Sequence, residues 1–180
     1  MKKLFVLLLL SVTLLINGCA EIKKVVPSIS SKFSTKPDFA TKFKASEVPN
    51  TLMKKPVAEG RLTSTFGFRL NPSGIPLPKK HKGIDYAAPE GTAIYASGDG
   101  IIDKKYVSKS YGNYIRIKHA NGFSSAYAHM QKFADGISDG SSVKRGQIIG
   151  AIGTTGRSTA AHLHYELLYQ GKPVDPLFKP

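Results

Sequence analysis

The chain has 180 residues, one cysteine, no tryptophan and a formal net charge of +14 at neutral pH. That length holds one domain with appendages, a single cysteine excludes a disulfide framework, and the charge favours an anionic partner such as a membrane surface or an anionic wall polymer. Nucleic acid is not expected as a partner, because no reader motif and no arginine-rich helix accompany the charge.

Met1-Lys2-Lys3 is a positive start to an apolar run from Leu4 to Ile16. The run is too short to read as a spanning helix and has the pattern of an export signal. It ends in Ile16-Asn17-Gly18-Cys19, which resembles the lipobox of bacterial lipoproteins, where cleavage before the cysteine leaves it lipidated. Residues 1–18 are therefore expected to be a lipoprotein signal peptide, with Cys19 the lipidation site and the membrane a partner through that lipid. Ala20 stands where an aspartate is the usual inner-membrane retention signal. This points to an outer-membrane protein facing the periplasm, or otherwise to the outer face of the cytoplasmic membrane.

Residues 20–59 hold eight lysines and four acids, are rich in Ser, Thr and Pro, and show no sustained apolar period. The expectation for 19–59 is a flexible, basic, lipid-anchored tether. It would reach roughly 130 Å at full stretch and average roughly 35 Å as a coil. Phe33, Phe39 and Phe43 leave open a short ordered arm docked on the domain.

Glycine marks the boundary of that domain, since sixteen of the seventeen glycines lie at or after Gly60. Over residues 60–180, short β-branched runs alternate with turns. Residues 94–96, 100–107, 113–118, 124–129, 147–152 and 162–169 read as strands. Asn121-Gly122 is a hairpin turn signal and Gln170-Gly171 suggests another. With no long 3.6-residue apolar period, the expected fold is mainly β: a compact antiparallel β-sheet domain preceded by the tether.

Four of the five histidines fall in three places: His81-Lys-Gly-Ile-Asp85, His129, and His162-Leu-His164. Neutral imidazole plus carboxylate is a transition-metal donor set, and a catalytic zinc needs three such ligands and an open position. One histidine pair more than the metal needs suits hydrolysis, which requires proton transfer. His162 and His164, two apart in a strand, project from the same face. Such a pair can share a metal or divide binding from proton handling, and the spacing does not choose. His119, beside the hairpin turn, reads as structural.

Residues from about Val57 to Phe178 resemble the lysostaphin/LytM-type zinc peptidases, which cut peptide bonds in bacterial peptidoglycan. The stretches that carry the resemblance are 60–69 (GRLTSTFGFR), 81–91 (HKGIDYAAPEG), 127–130 (YAHM), 143–150 (VKRGQIIG) and 162–167 (HLHYEL). The resemblance implies a groove-shaped zinc site with one Zn2+ per chain, held by His81, Asp85 and His164. It implies His129 and His162 as catalytic histidines flanking the bound water, whose pKa three-ligand zinc lowers to about 7. Some members place a tyrosine shortly before the first ligand to assist the oxyanion, and residues 71–80 contain none. Glu166, on the face of the His pair, is a candidate partner to a histidine, and Arg69 a candidate for framing the groove.

The expected function is a lipid-anchored zinc metalloendopeptidase, a monomer acting on peptidoglycan stem peptides, with the bond between D-alanine and diaminopimelate favoured. The alternatives are a catalytically silent regulator of other wall hydrolases and a glycine-bridge endopeptidase.

Overall fold

The computed structural model describes residues 55–69 and 79–177. The signal, Cys19 and nearly all of the tether lie outside them, as does the side chain of Arg69. Twelve strands follow in order: β1 (Arg61–Ser64), β2 (Gly67–Arg69), β3 (Lys79–His81), β4 (Ile84–Ala87), β5 (Ala93–Tyr95), β6 (Gly100–Ser108), β7 (Gly112–Lys118), β8 (Phe123–Phe133), β9 (Ser142–Val143), β10 (Ile148–Ile152), β11 (His162–Tyr169) and β12 (Lys172–Val174). One sheet runs β1-β4-β11-β8-β7-β6-β9, with β10 joining β8 to β5 and β12 extending from β11. The strand pairs are antiparallel, and β2 and β3 form a separate ribbon.

Two positive-φ turns build hairpins where the sequence asked for them. Asn121 (φ 56°) and Gly122 (φ 77°) join β7 to β8, and Gln170 (φ 48°) and Gly171 (φ 75°) join β11 to β12. Consecutive left-handed residues match the right-handed twist of the flanking strands.

Alternation along the central strands divides the sheet into two faces. Ile84, Tyr86, Ile115, Ile117, Tyr127, Leu163 and Tyr165 turn to one side and form the principal core with Ile94, Ile102, Met130, Ile149 and Ile152. Val57, 1 % exposed, belongs to this core, and the Pro56 carbonyl accepts the Tyr95 N–H. Packing thus begins ahead of Gly60. The other face of β4, β8 and β11 carries Asp85, Ala126, Ala128, His164 and Glu166. Register places His164 opposite both Asp85 and Ala128, and Glu166 opposite Ala126. The two alanines are buried with Tyr114 and Leu168 in a second apolar cluster, against which Tyr111 packs.

Candidate metal centre and active-site groove

Three side chains converge on the site face. His81 ends β3, Asp85 lies in β4 and His164 in β11, and all three are buried. His81 Nε2 and His164 Nδ1 lie 3.1 Å and 2.8 Å from Asp85 Oδ1, and 3.1 Å from each other. The sheet register sets the Asp85–His164 pair. The β2–β3 ribbon delivers His81, aided by its Nδ1–H donating to the Thr65 carbonyl at 2.8 Å. That bond leaves Nε2 as the lone-pair nitrogen facing the cluster.

The remote nitrogen of His164 is fixed as well. Its Nε2–H donates to Glu166 Oε1 at 3.1 Å, and Tyr111 O–H donates to the same oxygen at 2.9 Å. Burial and the adjacent Glu166 carboxylate push the Tyr111 phenol well above its ordinary pKa, which keeps it a donor. Burial raises the Asp85 carboxyl, but the adjacent imidazoles of His164 and His81 outweigh this and hold it well below the usual carboxylate range. Burial alone would lower His164, yet its bonds to Asp85 and Glu166 raise it to about 9. The pocket therefore stabilises positive charge beside His164, and a divalent cation at Nδ1 meets the same field as a proton. Two imidazoles and a carboxylate, both imidazoles anchored through their far nitrogens, fit a zinc site.

His129 and His162 stand beside this cluster in the same groove. Their ring centroids are 4.8 Å apart, and that of His129 is 6.0 Å from His164. His129 Nδ1 lies 2.8 Å from the Thr155 carbonyl and His162 Nδ1 lies 2.8 Å from the Ala160 carbonyl. A carbonyl only accepts, so each Nδ1 carries the proton and each Nε2 keeps its lone pair. Burial, with smaller effects from the neighbouring histidines, pushes His129 below its ordinary pKa and favours the neutral ring.

The wall behind His129 is an interlock of two loops. The Tyr111 carbonyl accepts the His129 N–H, the Ser110 carbonyl accepts the Arg157 N–H, and the Asn113 N–H donates to Thr155 Oγ1. Gly112 and Gly156, both at positive φ, sit against the opposite loop, where a Cβ on either would collide with backbone. Tyr111 escaped the sequence reading because it lies on a turn far from the histidine motifs. Its only local signal was its place before Gly112. The groove cations Arg61, Lys80, Lys82 and Arg157 were missed for a similar reason, being scattered over three segments.

His119 lies on the far face. It donates from Nδ1 to the Asp99 carbonyl at 2.7 Å and accepts at Nε2 from Ser125 Oγ at 2.7 Å. This is a structural histidine, as its position beside the turn suggested.

Residues 79–176 match the family model described as Peptidase family M23. Among curated proteins, the chain is 44% identical over 123 residues to the DD-carboxypeptidase/endopeptidase Mpg of Neisseria meningitidis serogroup B, covering 68% of this chain and 28% of that protein. It is 41% identical over 125 residues to the peptidoglycan DD-endopeptidase ShyC of Vibrio cholerae, covering 69% and 28% respectively. The chain thus spans a little over a quarter of the length of these relatives. Among solved structures, a zinc-containing peptidase from Vibrio cholerae superposes with a TM-score of 0.66 at 34% identity, covering 73% of this chain and 40% of that one.

Proposed function

This chain belongs to peptidase family M23, and from that premise we propose that it is a zinc-dependent endopeptidase of bacterial peptidoglycan, exported and held at a membrane by lipid on Cys19. One observation carries the reading: a buried His–Asp–His cluster shares a groove with two further histidines, each holding its proton on Nδ1 and presenting a basic Nε2.

In this proposal His81 Nε2, Asp85 Oδ1 and His164 Nδ1 hold one zinc ion per chain. When bound, zinc supplies Lewis acidity that polarises a scissile carbonyl and acidifies water. The chain's own residues do the rest. Glu166 and the Thr65 carbonyl orient the two histidine ligands. His129, held neutral by burial, takes a proton from the attacking water. The proton then passes from His129 Nε2 to the leaving amine, while His162, whose Nδ1 is held by the Ala160 carbonyl, accepts at Nε2 and helps to orient the water. The names of the curated relatives, DD-endopeptidases among them, support a bond between D-amino acids, and the lipobox suits a wall lying inward of an outer membrane. We therefore place cleavage at D-alanine–diaminopimelate cross-links.

The test is digestion of purified sacculi by the zinc-loaded protein, with fragments identified by mass spectrometry. Release of cross-link fragments that a strong chelator abolishes is the expected result. Intact sacculi with a full complement of zinc would overturn it in favour of a silent regulator, and glycine-terminated fragments from a glycine-bridged wall would reassign the bond.

A further inference from the structure

Four cations line the groove: Arg61 from β1, Lys80 from β3, Lys82 just after His81, and Arg157 from the loop before β11. All four are exposed. Among the described residues, none has an ion-pair or hydrogen-bond partner for its side chain. The two acids that line the groove, Asp85 and Glu166, are both buried and bonded to histidines. The accessible walls therefore present uncompensated positive charge. Elsewhere on the described surface, Arg116 meets Asp103 and Lys144 meets Asp99.

Register fixes where part of this charge sits. Arg61 is directly opposite Ala87 in β4, and Ala87 is directly opposite His162 in β11. Residues opposite one another in antiparallel strands project to the same face. Arg61 thus stands in one row with His162, two strand spacings away, roughly 10 Å. The Arg157 N–H is tied to the Ser110 carbonyl at 2.9 Å, which fixes the backbone of the opposite wall. A peptide laid across the histidines therefore has Arg61 in the same row as His162, and Arg157 lines the same groove from the loop before β11.

We propose that the groove is a carboxylate-reading subsite, with Arg61 and Arg157 as specificity residues that engage free carboxylates of the peptide on either side of the scissile bond. Lys80 and Lys82 add attraction without fork geometry. For the identity of its ligand, the proposal rests on the peptidoglycan reading above. It names as substrate the acidic form of the stem peptide and excludes the form whose carboxylates are carboxamides.

The test compares two fluorescent cross-linked stem-peptide dimers, one with free carboxylates and one with those groups converted to carboxamides. Dissociation constants and hydrolysis are both measured on the full chain loaded with zinc. The carboxamide form should bind about a hundredfold more weakly, roughly tenfold for each of the two charge-assisted pairs lost, and KM should follow while kcat changes little. Arg61→Gln and Arg157→Gln should each shrink the difference, and the double variant should erase it. High salt should weaken only the acidic peptide. Equal binding of the two dimers, or a preference that survives in the double variant, overturns the proposal. Preferential binding without hydrolysis upholds the carboxylate subsite and overturns the endopeptidase reading. Hydrolysis without preference does the reverse.

Discussion

His129 and His164 sit in one groove but meet different constraints, and substitution should separate them. Replacing His81, Asp85 or His164 by alanine removes a metal donor, so each variant should lose zinc as well as activity. His129→Ala and His162→Ala should keep the metal and lose at least about a hundredfold in hydrolysis, the lower end for general acid–base groups. Metal content by elemental analysis, measured beside rate, checks both. A His162→Ala protein without zinc beside a His164→Ala protein that retains it would exchange the roles within that pair. Glu166 acts one bond further out. Glu166→Gln keeps the shape but weakens the acceptor for His164 Nε2–H, and zinc affinity in a chelator competition should fall about 10- to 100-fold. Tyr111→Phe leaves Glu166 without its phenol donor and should give a smaller loss.

At the scale of elements, β8 shows how the groove is made. His129 has φ 61°, unusual for a residue with a Cβ. Its N–H turns to the Tyr111 carbonyl while its own carbonyl accepts the Gly153 N–H. Upstream of it β8 pairs with β11, and downstream with β10. The kink that changes partners thus also presents the imidazole. Gly112→Ala should destabilise by about 1–3 kcal/mol through its positive φ, and more through the collision with Thr155, whose carbonyl holds His129. Urea unfolding measures the first effect, and a rate loss exceeding the loss of folded protein reveals the second.

Much of this was legible from the sequence. The strands from 93 to 169 other than β9 announced themselves through β-branched runs between glycine turns, and the His and Asp types announced the chemistry. The short elements did not. β1, β4 and β12, three or four residues each, carry too few alternations to register. β2 and β3 are two strands of three residues that pair across a gap in sequence. Which nitrogen of each histidine faces the cluster depends on carbonyls such as Thr65 and Thr155, whose positions are set by folding and not by residue type.

The opposite face of the same strands carries a different polar device. Tyr165 donates to Ser97, Ser97 to Tyr127, Tyr127 to Ser125 and Ser125 to His119 Nε2, while His119 Nδ1–H donates to Asp99. The last donation, from Ser125 to Nε2, requires His119 to be neutral. Burial pushes its pKa below the ordinary value of 6.5, against smaller opposing contributions from Asp99. The unfolded chain therefore binds this proton more readily than the folded one. The contribution to stability is complete above about 6.5 and is lost as pH falls through the lower folded value. Chemical denaturation of the wild type and His119→Gln at pH 5 and 7.5 tests this. The variant should be less stable at pH 7.5, and the difference should narrow at pH 5. A gap that stays constant would show that His119 contributes packing alone.

For the whole molecule, the proposed function raises the question of how a basic domain would reach a wall it cannot diffuse through. On our reading Cys19 becomes the lipidated end of the mature protein, and the 40 residues from 20 to 59 set the distance from membrane to groove. Cys19→Ser should then leave unprocessed or soluble protein, detected by loss of membrane fractionation and of incorporated lipid label. The catalytic domain's zinc content should not change, since with one cysteine no disulfide depends on it. Shortening the segment tests geometry separately. Anchoring confines the groove to a shell whose thickness the tether fixes. Deleting residues 28–50 stops short of Pro56 and Val57, which pack against the domain. That variant should lose cleavage of intact wall in cells while purified protein cleaves soluble fragments at nearly the wild-type rate. Equal loss on both substrates would instead assign Phe33, Phe39 or Phe43 to an ordered arm that supports the domain, and reach would no longer be the function of that segment.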